Sequence, residues 1–168
     1  MTGVPVRVIP IDDGDAGVAQ TIGIMQRLVN DSLSDATVIQ AARNIVAGSG
    51  SRDYDAQAQA IRAWLLDHFT FVRDPLGQET IGTPKFQLDQ IASRYYVQGD
   101  CDDVAVLAAA LGKAVGMPAV FVTLGFDGPS GPFSHVYTAL FGRTTWHSMD
   151  VTRPLLVPVT TRRAEWTV

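Results

Sequence analysis

The sequence predicts an α+β fold: helices first, a central buried helix that begins at the lone cysteine, then an antiparallel sheet against which that helix packs. Three observations predict it. Up to Phe69, apolar residues recur mostly at the helical period. From Gly99 to Gly116 the chain reads Gly-Asp-Cys-Asp-Asp-Val-Ala-Val-Leu-Ala-Ala-Ala-Leu-Gly-Lys-Ala-Val-Gly, small or apolar nearly all round, as a helix buried on most sides must be. From Ala119 onward the period changes to that of strands. The 168 residues suit one domain over 1–168, with a helical part at about 12–98 and the cysteine helix plus sheet at about 99–159.

Val4, Val6 and Val8 alternate between prolines and predict an edge strand or an extended arm over Val4–Ile11. Asp12-Asp13-Gly14-Asp15 is a turn or the cap of a helix over Ala16–Asn30, whose stripe is Ile22, Met25, Leu28 and Val29. Ser32 or Ser34 caps a second helix through Val46, closed by Gly48-Ser49-Gly50. Asp53 caps a third, Tyr54 to about Phe69, with His68 meeting its C-terminus. Thr70–Val72 reads as a short strand. Gly77–Gln90 is loop-like, with a short helix near Phe86–Arg94. Tyr95 and Tyr96 fit either the core or the wall of a cleft.

The central helix is stopped by Gly116 and Pro118. Asp100, Asp102 and Asp103 crowd its first turn, where the helix dipole favours negative charge, and the same end favours a thiolate at Cys101. Ala119–Phe126 predicts a strand buried on both faces, Asp127–Pro132 a loop, Phe133–Phe141 a second strand and Thr144–Val151 a third. Pro154 and Pro158 bracket a final edge strand. Gly142-Arg143 reads as a two-residue type II′ hairpin turn. That turn sets Phe141 opposite Thr144, Tyr137 opposite Ser148 and His135 opposite Asp150. Residues directly opposite have Cβ atoms about 5 Å apart, close enough for a carboxylate to orient an imidazole. A slip of one residue would send Asp150 to the other face. His147 points away from His135 and reads as structural.

The net charge of −4 and the absence of a basic run argue against a nucleic-acid or anionic-membrane surface. One cysteine forms no internal disulfide, and no Cys/His spacing suits zinc. Neither a signal peptide nor a transmembrane run is visible, so a cytoplasmic location is expected, or a virion-associated one for a phage-encoded chain. Cys101 is the candidate nucleophile, His135 its base and Asp150 the group that fixes the His tautomer. The Cys101 main-chain N–H is a candidate oxyanion donor; Gln98, Tyr95 and Tyr96 are candidates for a second donor or for the cleft.

This order of motifs resembles the transglutaminase-like superfamily, relatives of the papain-like thiol enzymes. The likeness rests on Gly99-Asp-Cys-Asp-Asp, the alanine-rich helix ending Val-Gly-Met-Pro-Ala, His135 near a strand start, and Trp146-His-Ser-Met-Asp150-Val-Thr. The aromatic that often follows the family's His directly stands one place later, as Tyr137 after Val136. The resemblance implies a papain-like core and a Cys101–His135–Asp150 triad working through an acyl-enzyme. It also implies a cysteine peptidase, amidase or acyltransferase acting on a peptide or protein amide. No cofactor and no metal are expected from the residues, since the Asp100–Asp102–Asp103 group lacks the spaced loop ligands of calcium sites. Two alternatives stay open: a non-catalytic structural or assembly module on the same fold, phage-related among other settings, and acyl transfer from a thioester donor.

Overall fold

The computed structural model describes residues 8–74, 80–152 and 162–168. Its helices are α1 (Gly14–Ser32), α2 (Ala36–Ile45), α3 (Tyr54–His68), α4 (Pro84–Arg94) and α5 (Cys101–Ala114). Its strands are β1 (Phe69–Phe71), β2 (Val97–Gly99), β3 (Ala119–Gly125), β4 (His135–Phe141), β5 (Trp146–Ser148) and β6 (Arg162–Thr167). β3 to β6 form an antiparallel four-stranded sheet in the order β5-β4-β3-β6, and β1 and β2 form a separate parallel pair. The α+β expectation holds. Among the described residues, no helix is long and apolar enough to cross a membrane.

Helix α5 is the axis of the molecule, in contact with all four other helices and with β3 and β4. Every residue from Asp102 to Gly112 is buried. Its alanines and Gly112 let neighbours approach closely: a Cβ at Gly112 would stand 2.3 Å from Leu140 Cδ2. Inside this contact, Thr138 Oγ1 donates to the Ala105 carbonyl at 2.6 Å, so a buried hydroxyl keeps a partner. Leu107 and Leu111 are fully buried, and each contributes about 1.5–3 kcal/mol by leaving water. Gly116, at φ 88°, ends the helix in the left-handed conformation that glycine adopts without cost.

Several elements differ from expectation for physical reasons. α1 runs on to Ser32, whose hydroxyl donates to Val29 O at 2.7 Å, so neither Ser32 nor Ser34 caps α2. Asp35 does so instead, its Oδ1 accepting from Thr37 N at 2.7 Å. α4 begins two residues early, at Pro84, because Thr83 Oγ1 accepts from Phe86 N at 3.2 Å and Pro84 suits a first-turn position. Asp53 caps α3 as read, and His68 Nδ1 lies 2.8 Å from Trp64 O while its ring stacks on Trp64. Residues 8–12 have no regular secondary structure, so the part of the Val4–Ile11 segment that is described forms no strand, while Val4–Arg7 lie outside the described residues. The strand expected between Pro154 and Pro158 also falls outside them.

The hairpin register is corrected by two residues. Phe141 pairs with Trp146, Leu140 with His147 and Ala139 with Ser148, so Gly142–Thr145 form a four-residue loop. The cause is α3. Asp55 Oδ1 accepts from Arg143 N at 3.2 Å and lies 2.6 Å from His147 Nε2, which pulls the loop open around the carboxylate. Gly142 is not among the glycines with positive φ, as a type II′ turn would require, and a Cβ there would stand 1.9 Å from Asp55 Oδ1. β5 is accordingly short, and the missing edge partner of β3 is β6, a strand the sequence reading did not include.

Candidate active site

Cys101 is the first residue of α5, with Asp100 as the N-cap in extended conformation. Asp100 Oδ1 accepts from Asp102 N at 3.3 Å, and in a capping box the Asp100 side chain accepts from Asp103 N while Asp103 Oδ2 accepts from Asp100 N at 3.3 Å. Asp103 Oδ1 also accepts from Gly82 N at 2.7 Å. Gln87 Nε2 donates to Gly82 O and to Asp103 O, each at 3.0 Å. The turn that carries Cys101 is thereby tied to the segment entering α4. Gly99 is required by this close packing, since a Cβ there would lie 2.3 Å from Asp103 Oδ2 and 2.7 Å from its Cβ. Burial raises the Asp103 carboxyl to about 6, against the two main-chain N–H groups that favour its charge. The three carboxylates of Asp100, Asp102 and Asp103 come within 4.8 Å of one another. Two of them are engaged in capping.

His135 opens β4 and is only 7% exposed. Its Nε2 lies 2.7 Å from Asp150 Oδ2. A carboxylate accepts, so this bond places the proton of neutral His135 on Nε2. The other oxygen of the same carboxylate, Oδ1, accepts from Thr152 N at 3.1 Å and Thr152 Oγ1 at 3.0 Å. Burial pushes Asp150 upward, but the hydrogen bond and charge of His135, helped by Thr152, outweigh it and hold the carboxyl below its ordinary value.

His135 and Asp150 thus meet, although not as directly opposed residues. The pairing continues past β5 through Met149 N, which donates to Thr138 O at 2.8 Å. That register sets Asp150 beside Tyr137, a diagonal neighbour of His135. A shift of two residues keeps every side chain on its face, so the sequence argument reached the right pair through a register that was off by two. His147 turns to Asp55, on the opposite face.

Cys101 and His135 line one cavity of about 730 Å³, together with Asp100, Asp102 and Thr152. Cys101 is partly exposed. Gln98, Tyr95 and Tyr96 are absent from that lining. Gln98 and Tyr96 line a second, smaller hollow beside Phe86, Gln90 and Arg94. Tyr95 is 83% exposed and caps α4 in the left-handed conformation. The sequence reading missed Thr152, although Asp-x-Thr is a recognised local hydrogen-bonding pattern. It also missed the part of Asp12, Asp13 and α1 in the cavity wall, which only the tertiary fold brings there.

No match is found among curated proteins. Two solved structures share the fold. One is a candidate cysteine protease from Cytophaga hutchinsonii, 22% identical with a TM-score of 0.52, covering 76% of this chain and 41% of that one. The other is a candidate protease from Parabacteroides distasonis, 13% identical with a TM-score of 0.54, covering 73% of this chain and 24% of that one. The chain therefore spans less than half the length of either. A sequence profile described as transglutaminase-like superfamily matches residues 39–151, a range that holds Cys101, His135 and Asp150 and most of the chain. The chain belongs to the transglutaminase-like superfamily.

Proposed function

We propose that the protein is a thiol-dependent amide hydrolase or acyltransferase that works on peptide substrates through a Cys101–His135–Asp150 triad. The observation that carries this reading is the 2.7 Å contact between His135 Nε2 and Asp150 Oδ2, beside a cavity that also holds Cys101 at the N-terminus of α5. With Nε2 committed to Asp150, Nδ1 is the ring nitrogen that exchanges a proton with the thiol. The resulting thiolate attacks the amide carbonyl carbon. The positive end of α5 stabilises charge on sulfur and on the tetrahedral oxyanion. Imidazolium returns its proton to the departing amine, the C–N bond breaks, and a thioester remains on Cys101. Water or a second amine then attacks, with His135 taking its proton, and the thiol is released. The protease-like fold supports a peptide as the acyl donor.

The test is alkylation by iodoacetamide across a pH series, with Cys101→Ser, His135→Ala and Asp150→Asn beside the wild type. The reading expects Cys101 to react faster at neutral pH than an ordinary exposed thiol, and His135→Ala to remove that excess. Equal rates in wild type and His135→Ala would leave the non-catalytic module as the better account.

A further inference from the structure

We infer that Arg162 is a positioning residue for the proposed reaction: it straps the first turn of α1 to the loop before His135 and so holds Phe133 as a preformed wall for an apolar group of the substrate. This inference rests on the reading of Cys101 as a nucleophile and adds what fixes one side of its cavity.

Two separate pieces of chain form that side. Gly14, Gly17 and Val18 come from α1, and Phe133 and Ser134 from the loop that enters β4. Asp15 and Arg162 are not in the lining. They work from behind it. Arg162 Nη2 donates to Asp15 Oδ2 at 2.6 Å. Its Nη1 donates to Asp15 Oδ1 at 2.9 Å and to the Gly131 carbonyl at 3.0 Å. The guanidinium carbon stands 4.0 Å from the centroid of the Phe133 ring. One planar fork therefore grips a carboxylate on α1 and both a carbonyl and a ring on the loop, which a lysine ammonium cannot do at once.

The loop is shaped for this contact. Gly131 N donates to Gly128 O at 3.0 Å, and a Cβ at Gly131 would stand 2.5 Å from Asp127 O. Gly125 pairs with Arg162 across the β3–β6 ladder, and a Cβ there would meet Pro132 O at 2.7 Å and Arg162 Cβ at 3.2 Å. His135 is held by other means. Ser134 N donates to Leu124 O at 2.9 Å, and His135 itself pairs with Leu124 in the β3–β4 ladder. The strap thus bears on Phe133 and not on the base. A wall already fixed when substrate arrives spares binding the cost of ordering it.

Two haloacetamides test this without any knowledge of the natural substrate: iodoacetamide and its N-benzyl derivative. Both react by one step, in which the Cys101 thiolate forms a C–S bond at the CH₂ carbon and iodide leaves. Rates are divided by those of free cysteine, and the benzyl-to-parent ratio reports on the wall. Wild type is expected to favour the benzyl reagent by roughly tenfold. Arg162→Gln is expected to cut that ratio by roughly fivefold, through a higher half-saturation concentration and not a lower limiting rate. Asp15→Asn, which removes one charge from an exposed side chain, is expected to cut it by roughly threefold. Arg162→Lys should recover part of what Arg162→Gln loses. Lys85→Gln breaks an exposed ion pair with Asp89 outside the cavity lining and should keep the wild-type ratio. A wild-type ratio near one overturns the inference, as does an Arg162→Gln ratio within about twofold of wild type. An equal fall in Lys85→Gln overturns it as well. So does a loss confined to the limiting rate, or a shifted pH midpoint of alkylation, since either would put the effect on His135. The parent reagent reports separately on nucleophile activation: equal rates in wild type and His135→Ala would count against the proposed function, whatever the ratio.

Discussion

Replacing Asp150 by asparagine should reverse the direction in which His135 holds its proton. In the native site one carboxylate oxygen serves Thr152, through two donors at 3.1 and 3.0 Å, and the other serves His135 at 2.7 Å. An asparagine carries a single acceptor oxygen. The two Thr152 donors claim it, which turns the amide –NH₂ toward His135 Nε2. That nitrogen must then accept, so the ring proton moves to Nδ1, and Nδ1 can no longer take a proton from Cys101. Loss of a charge-assisted hydrogen bond alone is worth about 1.5–3 kcal/mol, or roughly 10- to 100-fold in rate. The wrong tautomer takes the loss higher, toward the roughly 10⁴-fold seen for the equivalent change in serine proteases. The assay is the second-order rate of Cys101 alkylation at neutral pH, read by intact mass. Adding Thr152→Val removes one of the donors that fix the amide and should restore part of the rate. A rate in Asp150→Asn within twofold of wild type would refute the reasoning.

Four further outcomes are expected. Gly112→Ala drives a methyl into Leu140 at 2.3 Å and should destabilise by about 1–3 kcal/mol in urea unfolding, with less than additive loss when combined with Leu140→Ala. Asp103 binds its proton more tightly folded, at about 6, than unfolded, at the ordinary 3.8. Its contribution is therefore full below about pH 4 and is lost as pH rises through about 6, about 3 kcal/mol in all, so the stability of Asp103→Asn relative to wild type should climb across that window and then level. Asp150, held low, has the opposite sign: its stabilisation is present above pH 3.8 and vanishes as pH falls through its folded value, so acid unfolding should begin at higher pH in Asp150→Asn. His147→Gln should lower the unfolding midpoint by releasing Asp55 and the 142–145 loop, while Cys101 alkylation stays within twofold of wild type.

The central helix was legible because its residues are small or apolar on every side, a pattern that surface helices do not show. The His135–Asp150 pair was legible because strand side chains alternate with period 2, and an error of two positions leaves faces unchanged. The loop itself was not legible. Its length is set by Asp55, distant in sequence, and no local turn rule contains that contact. β6 was overlooked although Ala164 and Trp166 alternate with Arg163, Glu165 and Thr167; its partner β3 lies far back in the chain. Tyr95 and Tyr96 drew attention as aromatics near the cysteine, yet sequence proximity did not bring them to its cavity, because the chain turns sharply at the left-handed Tyr95.

The sulfur of Cys101 sits at the end of the most enclosed element in the molecule. Backbone amides from Val104 to Leu111 are sealed by packing on all sides, so they should exchange with deuterium only when the whole protein opens. Residues 8–13 and much of 127–134 are exposed or half-exposed and should exchange orders of magnitude sooner. On the proposed function, a bulky acyl group would therefore be accommodated by the outer wall. Cys101 itself, anchored to that helix, is held still while the exposed outer wall is the part with room to give.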